Sequence, residues 1–224
     1  MRPLLLILFI LLSAGVLPAQ VAANANKGYA TSEGRARVAA MLLRSDRDHT
    51  QKPEQLLGLL DLRPGMVVAD IGAGAGYMLP FLSKAVGPEG QVVAEDIHDD
   101  FLEKAKEYAA RQGLGNVQFV KGTERDPRLK PASVDLALTL DAYHHYDYPS
   151  EMLAGLRRGI RPGGRLVVVD FYRRPGAMPN GDAMEHIRAD QPEVIQEIEA
   201  AGFRLLSRRD HLPGSQYVLV FERP

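Results

Sequence analysis

The chain has 224 residues, 46% of them hydrophobic and 25% charged, with 27 Lys+Arg against 28 Asp+Glu and no cysteine. At roughly 100–200 residues per domain this is one domain, or one with an appendage, and it is long enough to bury a sizeable core. The composition excludes a disordered or collagen-like chain and a polytopic membrane protein. It offers no electrostatic footprint for nucleic acid or anionic lipid, and it rules out disulfides, thiolate metal sites and cysteine nucleophiles.

Met1-Arg2-Pro3 precedes an unbroken apolar run over residues 4–12, and Val16-Leu17-Pro18-Ala19 closes the stretch after Ser13-Ala14-Gly15. One cation, a short apolar segment and a small-residue exit form the pattern of a secretory signal peptide over residues 1–25. Ala23-Asn24-Ala25 fits the cleavage pattern, and Leu17-Pro18-Ala19 fits it less well. The alternative is an uncleaved anchor, but residues 4–19 are shorter than the roughly 20 a spanning helix needs. Arg2 before the apolar run holds the N-terminus inside, so both readings place the domain outside the cytoplasm. The expectation is an exported, periplasmic protein, free of the membrane once the leader is removed.

Residues 26–64 read as a helical cover. Val38, Met41 and Leu42 lie at helical spacing within residues 32–43, and Pro53 can open a second helix carrying Leu56, Leu57 and Leu60 on one face. Between them, residues 44–49 are too polar to bury. The stretch Asp48-His49-Thr50-Gln51-Lys52-Pro53 is either a lid over a ligand site or a solvated linker.

From residue 65 to 224 strands and helices alternate. Strands are expected at residues 66–71, 91–96, 116–120, 134–138 and 166–170, with helices at 77–86, 100–111, 150–160 and 192–201 between and after them. Two final strands at 203–209 and 216–222 are joined too tightly for a parallel crossover, so they pair antiparallel. The expected fold is therefore α/β, a doubly wound, mostly parallel seven-stranded sheet with an antiparallel last strand.

A ligand site in such a sheet lies beyond the carboxyl ends of the strands, where strand order reverses. The first strand ends Asp70-Ile71-Gly72-Ala73-Gly74-Ala75-Gly76. Its glycines let the backbone pass close to a ligand, and the next helix offers free N–H groups. The spacing is G-x-G-x-G. The dinucleotide pattern would need glycine where Tyr77 stands, and no nucleoside-triphosphate loop is present. That argues against a nicotinamide-dependent oxidoreductase. The second strand ends Glu95-Asp96, where a carboxylate can take both hydroxyls of a ribose. Alternation along the strand turns only one of the two toward the site.

The run Val67-Val68-Ala69-Asp70-Ile71-Gly72-Ala73-Gly74-Ala75-Gly76-Tyr77 resembles the first motif of class I S-adenosylmethionine-dependent methyltransferases. Residues 91–101 are similar to their second motif. Ser133-Val134-Asp135-Leu136-Ala137-Leu138 with Tyr143-His144-His145 resembles their fourth-strand region, and Arg161-Pro162-Gly163-Gly164 the turn before strand five. The resemblance spans about residues 55–222. It implies S-adenosylmethionine as cofactor, with Asp70, Gly72, Ala73, Gly74, Gly76 and Tyr77 around the methionine end. By the same resemblance Asp96 holds the ribose, Ile97 packs on the adenine, and Leu140 and Asp141 line the reacting centre. The family's acid after strand three is replaced here by Thr123, with Glu124 as the neighbour that can substitute.

Methyl transfer from a sulfonium is an in-line displacement in which alignment and desolvation supply most of the rate. A base is needed only for a protonated acceptor, and Asp141, His144 and His145 are the candidates. The alternative is that the two histidines merely order the start of the next helix. No metal is expected, because Asp141 has no partner ligands at fitting spacing. Tyr172-Arg173-Arg174 either binds an anionic group or is a solvated loop. The absence of an Asn/Asp-Pro-Pro-Tyr motif disfavours a nucleic-acid or amide acceptor, and the expected partner is a small molecule. The expected activity is methyl transfer to that molecule, the alternative a non-catalytic nucleoside-binding module.

Overall fold

A computed structural model describes residues 21–224, so most of the expected leader lies outside the described residues. Seven strands form one sheet: β1 (Val67–Ile71), β2 (Gln91–Asp96), β3 (Val117–Lys121), β4 (Val134–Leu140), β5 (Ile160–Phe171), β6 (Arg204–Leu212) and β7 (Gln216–Glu222). Their order is β3-β2-β1-β4-β5-β7-β6, and β7 alone runs opposite to the other six strands. The chain starts at β1 and winds outward both ways, so the order reverses between β1 and β4. That reversal fixes where a crevice can open.

The central strands are buried on both faces, which is why they are nearly all apolar. Alternation sends Val68, Leu136, Leu138, Val167 and Val169 to one face. There they meet α4 (Pro53–Leu60), α5 (Leu79–Val86) and α6 (Asp99–Arg111). Ala69, Ile71, Ala137, Leu166 and Val168 go to the other face, against α7 (Pro149–Gly159) and α9 (Gln191–Ala200). The expected elements are present, with ends shifted by a few residues. Leu79, rather than Tyr77, opens α5, because Gly76 at φ +90° turns the chain first and its carbonyl accepts from Leu79 N–H. Arg161-Pro162-Gly163-Gly164 does not end before the strand but lies within β5, where a register shift against β4 absorbs it. Gly163 N–H donates to Arg223 carbonyl and Arg223 N–H to Gly164 carbonyl, which pairs the bulge with the chain terminus. Asp135 also has a structural duty the sequence does not reveal: it accepts from Val67 N–H at 2.6 Å and fastens β4 to β1.

Before the sheet come α1 (Ala23–Asn26), α2 (Ser32–Leu42), α3 (Arg47–Gln51) and α4. The sequence predicts that residues 44–49 are too polar to bury. Residues 44–46, 48 and 49 are exposed as expected, but α3 begins within the stretch and the Arg47 side chain is only 13% exposed. Gln51, at the end of α3, is buried because partners across the sheet end receive its polar atoms. Gln51 Nε2 donates to Gln216 Oε1 at 3.0 Å, and its carbonyl lies 2.6 Å from His211 Nε2. Of residues 48–53, Gln51 and Pro53 are buried while Asp48, His49, Thr50 and Lys52 are exposed. No helix among the described residues is long and apolar enough to cross a membrane.

Candidate active site

The carboxyl ends of β1, β2 and β4 open onto a cavity of about 450 Å³ under the N-terminal helices. Asp70, Gly72, Ala73, Gly74, Tyr77, Asp96, Ile97, Thr123, Glu124 and Leu140 all line it, as do Asp141 and His145. Gly76 sits behind this wall, where an added Cβ would come within 3.2 Å of Ala105 in α6. His144 is sealed behind it too. Thr123 spends its hydroxyl inside a tight turn, accepting from Asp126 N–H at 3.0 Å, and Glu124 beside it is exposed.

The floor of the cavity is a backbone cradle held by β2. Gly74 N–H donates to Asp96 Oδ2 at 2.9 Å, His98 N–H to Asp96 Oδ1 at 2.8 Å and Ala73 N–H to the Glu95 carbonyl at 2.8 Å. Gly72 has φ +71°, and a Cβ there would lie 2.8 Å from that of Ala142, so both conformation and space require glycine. Alternation leads one to expect only one of Glu95 and Asp96 at the site, but both reach the loop. Glu95 Oε2 accepts from Gly72 N–H at 3.3 Å, and the side chain is buried over Gly122, where a Cβ would strike Oε1 at 1.7 Å. The glycine loop wraps over the end of the strand and so meets both of its faces.

Of the carboxylates lining the cavity, Asp70, Asp96 and Asp141 stand at or just beyond the ends of β1, β2 and β4. Burial raises Asp70 to about 7, against the pull of Arg47, and Asp141 to about 7 for the same reason. Asp96 rises to about 6, burial outweighing the backbone N–H groups of His98, Gly74 and Ile97. Asp141 sits at φ +51°, a left-handed conformation that asparagine and aspartate tolerate best and that tends to mark functional positions. Its Oδ1 accepts from Gln216 Nε2 at 2.6 Å. One guanidinium answers Asp70 and Asp141: Arg47 lies 3.8 Å from Asp141 and 3.9 Å over the Tyr77 ring. Tyr77 in turn donates to Asp48 at 2.8 Å, so α3 is pinned across the cavity by both its acid and its base. Nothing in the sequence pattern singles out Arg47. It reads as one more charge in a polar stretch, and only the fold brings it over Tyr77.

The far wall is built by the turn Tyr143–His145 and by α1. Asn26 Nδ2 donates to the His145 carbonyl and to Asp147 Oδ2, which fixes its Oδ1 against His145 Nδ1 at 2.9 Å. His145 Nε2 faces the Tyr29 hydroxyl at 3.3 Å. His144 turns away, with Nδ1 2.6 Å from Asp170 Oδ1. Burial drives both imidazoles well below their ordinary pKa, so both are neutral at pH 7. The short α8 (Ala183–His186) adds a third ring, with the His186 centroid 5.0 Å from that of His144 and 5.4 Å from that of His145. The sequence pattern points to no metal ligand set and misses this convergence, because His186 lies far along the chain. Arg173 and Arg174 are exposed, as the solvated-loop reading has it, and Arg173 also donates to the carbonyls of Ile187 and Met184 and holds α8 in place.

The family model described as "Methyltransferase domain" matches residues 62–207. A nocamycin O-methyltransferase of Saccharothrix syringae is 35% identical over 162 residues, 66% of this chain and 58% of that protein. A ubiquinone/menaquinone biosynthesis C-methyltransferase of a Marinomonas species is 34% identical over 113 residues, 50% of this chain and 45% of that one. The chain thus spans less than two thirds of either relative. The crystal structure of a SAM-dependent methyltransferase from Aquifex aeolicus superposes with a TM-score of 0.78 at 27% identity, covering 85% of this chain and 98% of that one.

Proposed function

Because the chain belongs to the methyltransferase-domain family, we propose that it moves the methyl group of S-adenosylmethionine to a small-molecule acceptor. The observation that carries this reading is the acidity of the cavity: the desolvated Asp70, Asp96 and Asp141 line it together with Glu95, Glu124 and Asp147, against Arg47 and Lys27 as the cations. Such a set calls for a ligand bearing positive charge and hydrogen-bond donors. S-adenosylmethionine has a sulfonium, an ammonium and a ribose diol, together with one carboxylate for Arg47, so the residues present fit it. Asp96, already oriented by two backbone N–H groups, would receive the ribose hydroxyls, with Ile97 beside the adenine. Asp70 and Asp141 would take the ammonium and the backbone of residues 72–74 the methionine chain.

When bound, the cofactor supplies an electrophilic methyl group on an activated leaving group. The protein's own part is to align and to exclude water. The cover of α2 and α3, pinned by Arg47 on Tyr77, closes the cavity over the glycine loop. Tyr29, Tyr146 and Met152 give the acceptor an apolar and aromatic wall. Of the three side chains expected to handle protons, Asp141 is held by Gln216 and His144 by Asp170. His145 alone joins a neutral imidazole to a place on the wall, and it is the group positioned to receive a proton from an acceptor hydroxyl or amine. The test is a screen of small phenols, enols and amines with methyl-labelled cofactor. Label should pass to at least one acceptor, and His145→Asn should lower kcat for it. Cofactor binding without transfer to any acceptor would favour a binding module.

Export belongs to the same proposal. Ala22 N–H donates to Asp147 Oδ1 at 3.1 Å, and Asn26 reaches both His145 and Asp147. Cleavage after Ala25 would remove the first of these and place a charged terminus at Asn26, whereas cleavage after Ala19 keeps them all. The packing therefore favours Leu17-Pro18-Ala19 as the exit and Gln20 as the first mature residue. N-terminal sequencing of protein from the periplasmic fraction should read from Gln20. A start at Met1 on cytosolic protein would overturn it.

A further inference from the structure

We infer that His144, His145 and His186 form a binding site for one divalent transition-metal ion of the zinc class. Their candidate ligand nitrogens all lie within 4.8 Å of one another. A tetrahedral ion with bonds of about 2.0–2.1 Å holds its nitrogens a little over ~3 Å apart, so small side-chain rotations close the set.

The hydrogen bonds around the rings prepare them for ligation. His144 Nδ1 is taken by the buried carboxylate of Asp170, which leaves Nε2 with its lone pair outward. The Asn26 amide is oriented by its two donor bonds, so its Oδ1 accepts from His145 Nδ1–H; the Nε2 lone pair faces the Tyr29 hydroxyl at 3.3 Å and passes to the ion when that hydroxyl rotates away. His144 and His145 thus each have a carboxylate or amide behind the ring, the arrangement that fixes tautomer and ring orientation in metal sites. His186 comes from a separate segment, α8, which Arg173 anchors through the Met184 and Ile187 carbonyls. An all-imidazole set suits zinc, copper, nickel or cobalt and not magnesium or calcium, which want oxygen. An ion here would tie α8 to the wall of the cavity and to α1.

Three imidazoles leave a fourth position open, and His145 also lines the cavity. An oxygen of the acceptor filling that position would be polarised directly, in place of proton transfer to His145. That consequence rests on the methyl-transfer reading; the site does not.

The test is titration of the purified, untagged protein with Zn²⁺ alone by calorimetry, and with Co²⁺ alone by visible absorption, with no cofactor or acceptor present. One equivalent should bind, with the d–d bands of a four-coordinate nitrogen-and-oxygen site. His186→Ala should weaken Zn²⁺ binding by at least ~100-fold and Asp170→Asn by about 10- to 100-fold, while the remote His49→Ala leaves it unchanged. Circular dichroism shows which variants are folded. If one is not, the wild-type Co²⁺ spectrum decides, since an octahedral all-oxygen spectrum would itself contradict the site. No binding to the wild-type protein, or equal binding by folded His186→Ala, would overturn the proposal whether or not the protein transfers methyl groups.

Discussion

Asp96 and Glu95 are neighbours on one strand with different duties. Asp96 Oδ1 and Oδ2 each hold one backbone N–H, yet the side chain still faces the cavity, so two charge-assisted bonds to a ribose remain available. Asp96→Ala should weaken cofactor binding by about 2–4 kcal/mol, roughly 30- to 1,000-fold, measured by calorimetry. Glu95→Ala, which strand alternation alone would make a silent control, strands Gly72 N–H and empties the space over Gly122. It should cost about 1–3 kcal/mol of stability in urea, whereas Glu95→Gln keeps the bond and the volume and should stay near wild type.

The raised acids also set a pH dependence. Asp70 and Asp141 take up protons near 7 in the free protein, because burial disfavours their charge. A ligand carrying ammonium and sulfonium favours the ionised forms, so below that pH binding must expel protons. Affinity for S-adenosylmethionine should therefore climb as pH rises from about 5.5 to 7.5, by up to tenfold per unit for each acid, and level off above. Calorimetry across that range checks the sign. A flat or falling profile would mean that these acids do not meet the positive end of the ligand.

At the scale of elements, the cover is the part with a separable role. Arg47 on α3 faces the cavity and closes it through Tyr77. Arg47→Ala should cost S-adenosylmethionine about 1.5–3 kcal/mol, roughly 10- to 150-fold, while 5′-methylthioadenosine, which lacks the carboxylate, binds both proteins alike. Equal losses for both ligands would show that Arg47 acts only through packing. The sequence makes the strands legible because two-sided burial demands apolar runs, and the glycine loop because only glycine takes its turns. It hides how α3 packs, since Arg47 and Gln51 look like exposed polar residues until Asp141 and Tyr77 are brought beside the one and Gln216 and His211 beside the other. It hides the three-histidine cluster for the same reason: local spacing shows His144 and His145, and tertiary packing alone adds His186. Glu95 is hidden by a correct rule, since alternation holds but the loop folds over both faces.

For the whole molecule, topology and site are one consequence. Starting a seven-stranded sheet at its centre and winding outward leaves a crevice between β1 and β4, and the chain lines it with the ends of β1, β2 and β4. The N-terminal helices then roof the crevice rather than forming a domain of their own. Function turns on what that roofed crevice binds. The most direct test is the melting temperature of the metal-free protein with S-adenosylhomocysteine and, separately, with NAD. At 100 times its dissociation constant a ligand stabilises by about 2.7 kcal/mol, a shift of roughly 5–11 °C for a chain this size. S-adenosylhomocysteine should give that shift in the wild-type protein and a much smaller one at the same concentration in Asp96→Ala, and NAD should give none. A shift with NAD alone, or one with S-adenosylhomocysteine that Asp96→Ala retains in full, would contradict S-adenosylmethionine as the ligand of this crevice.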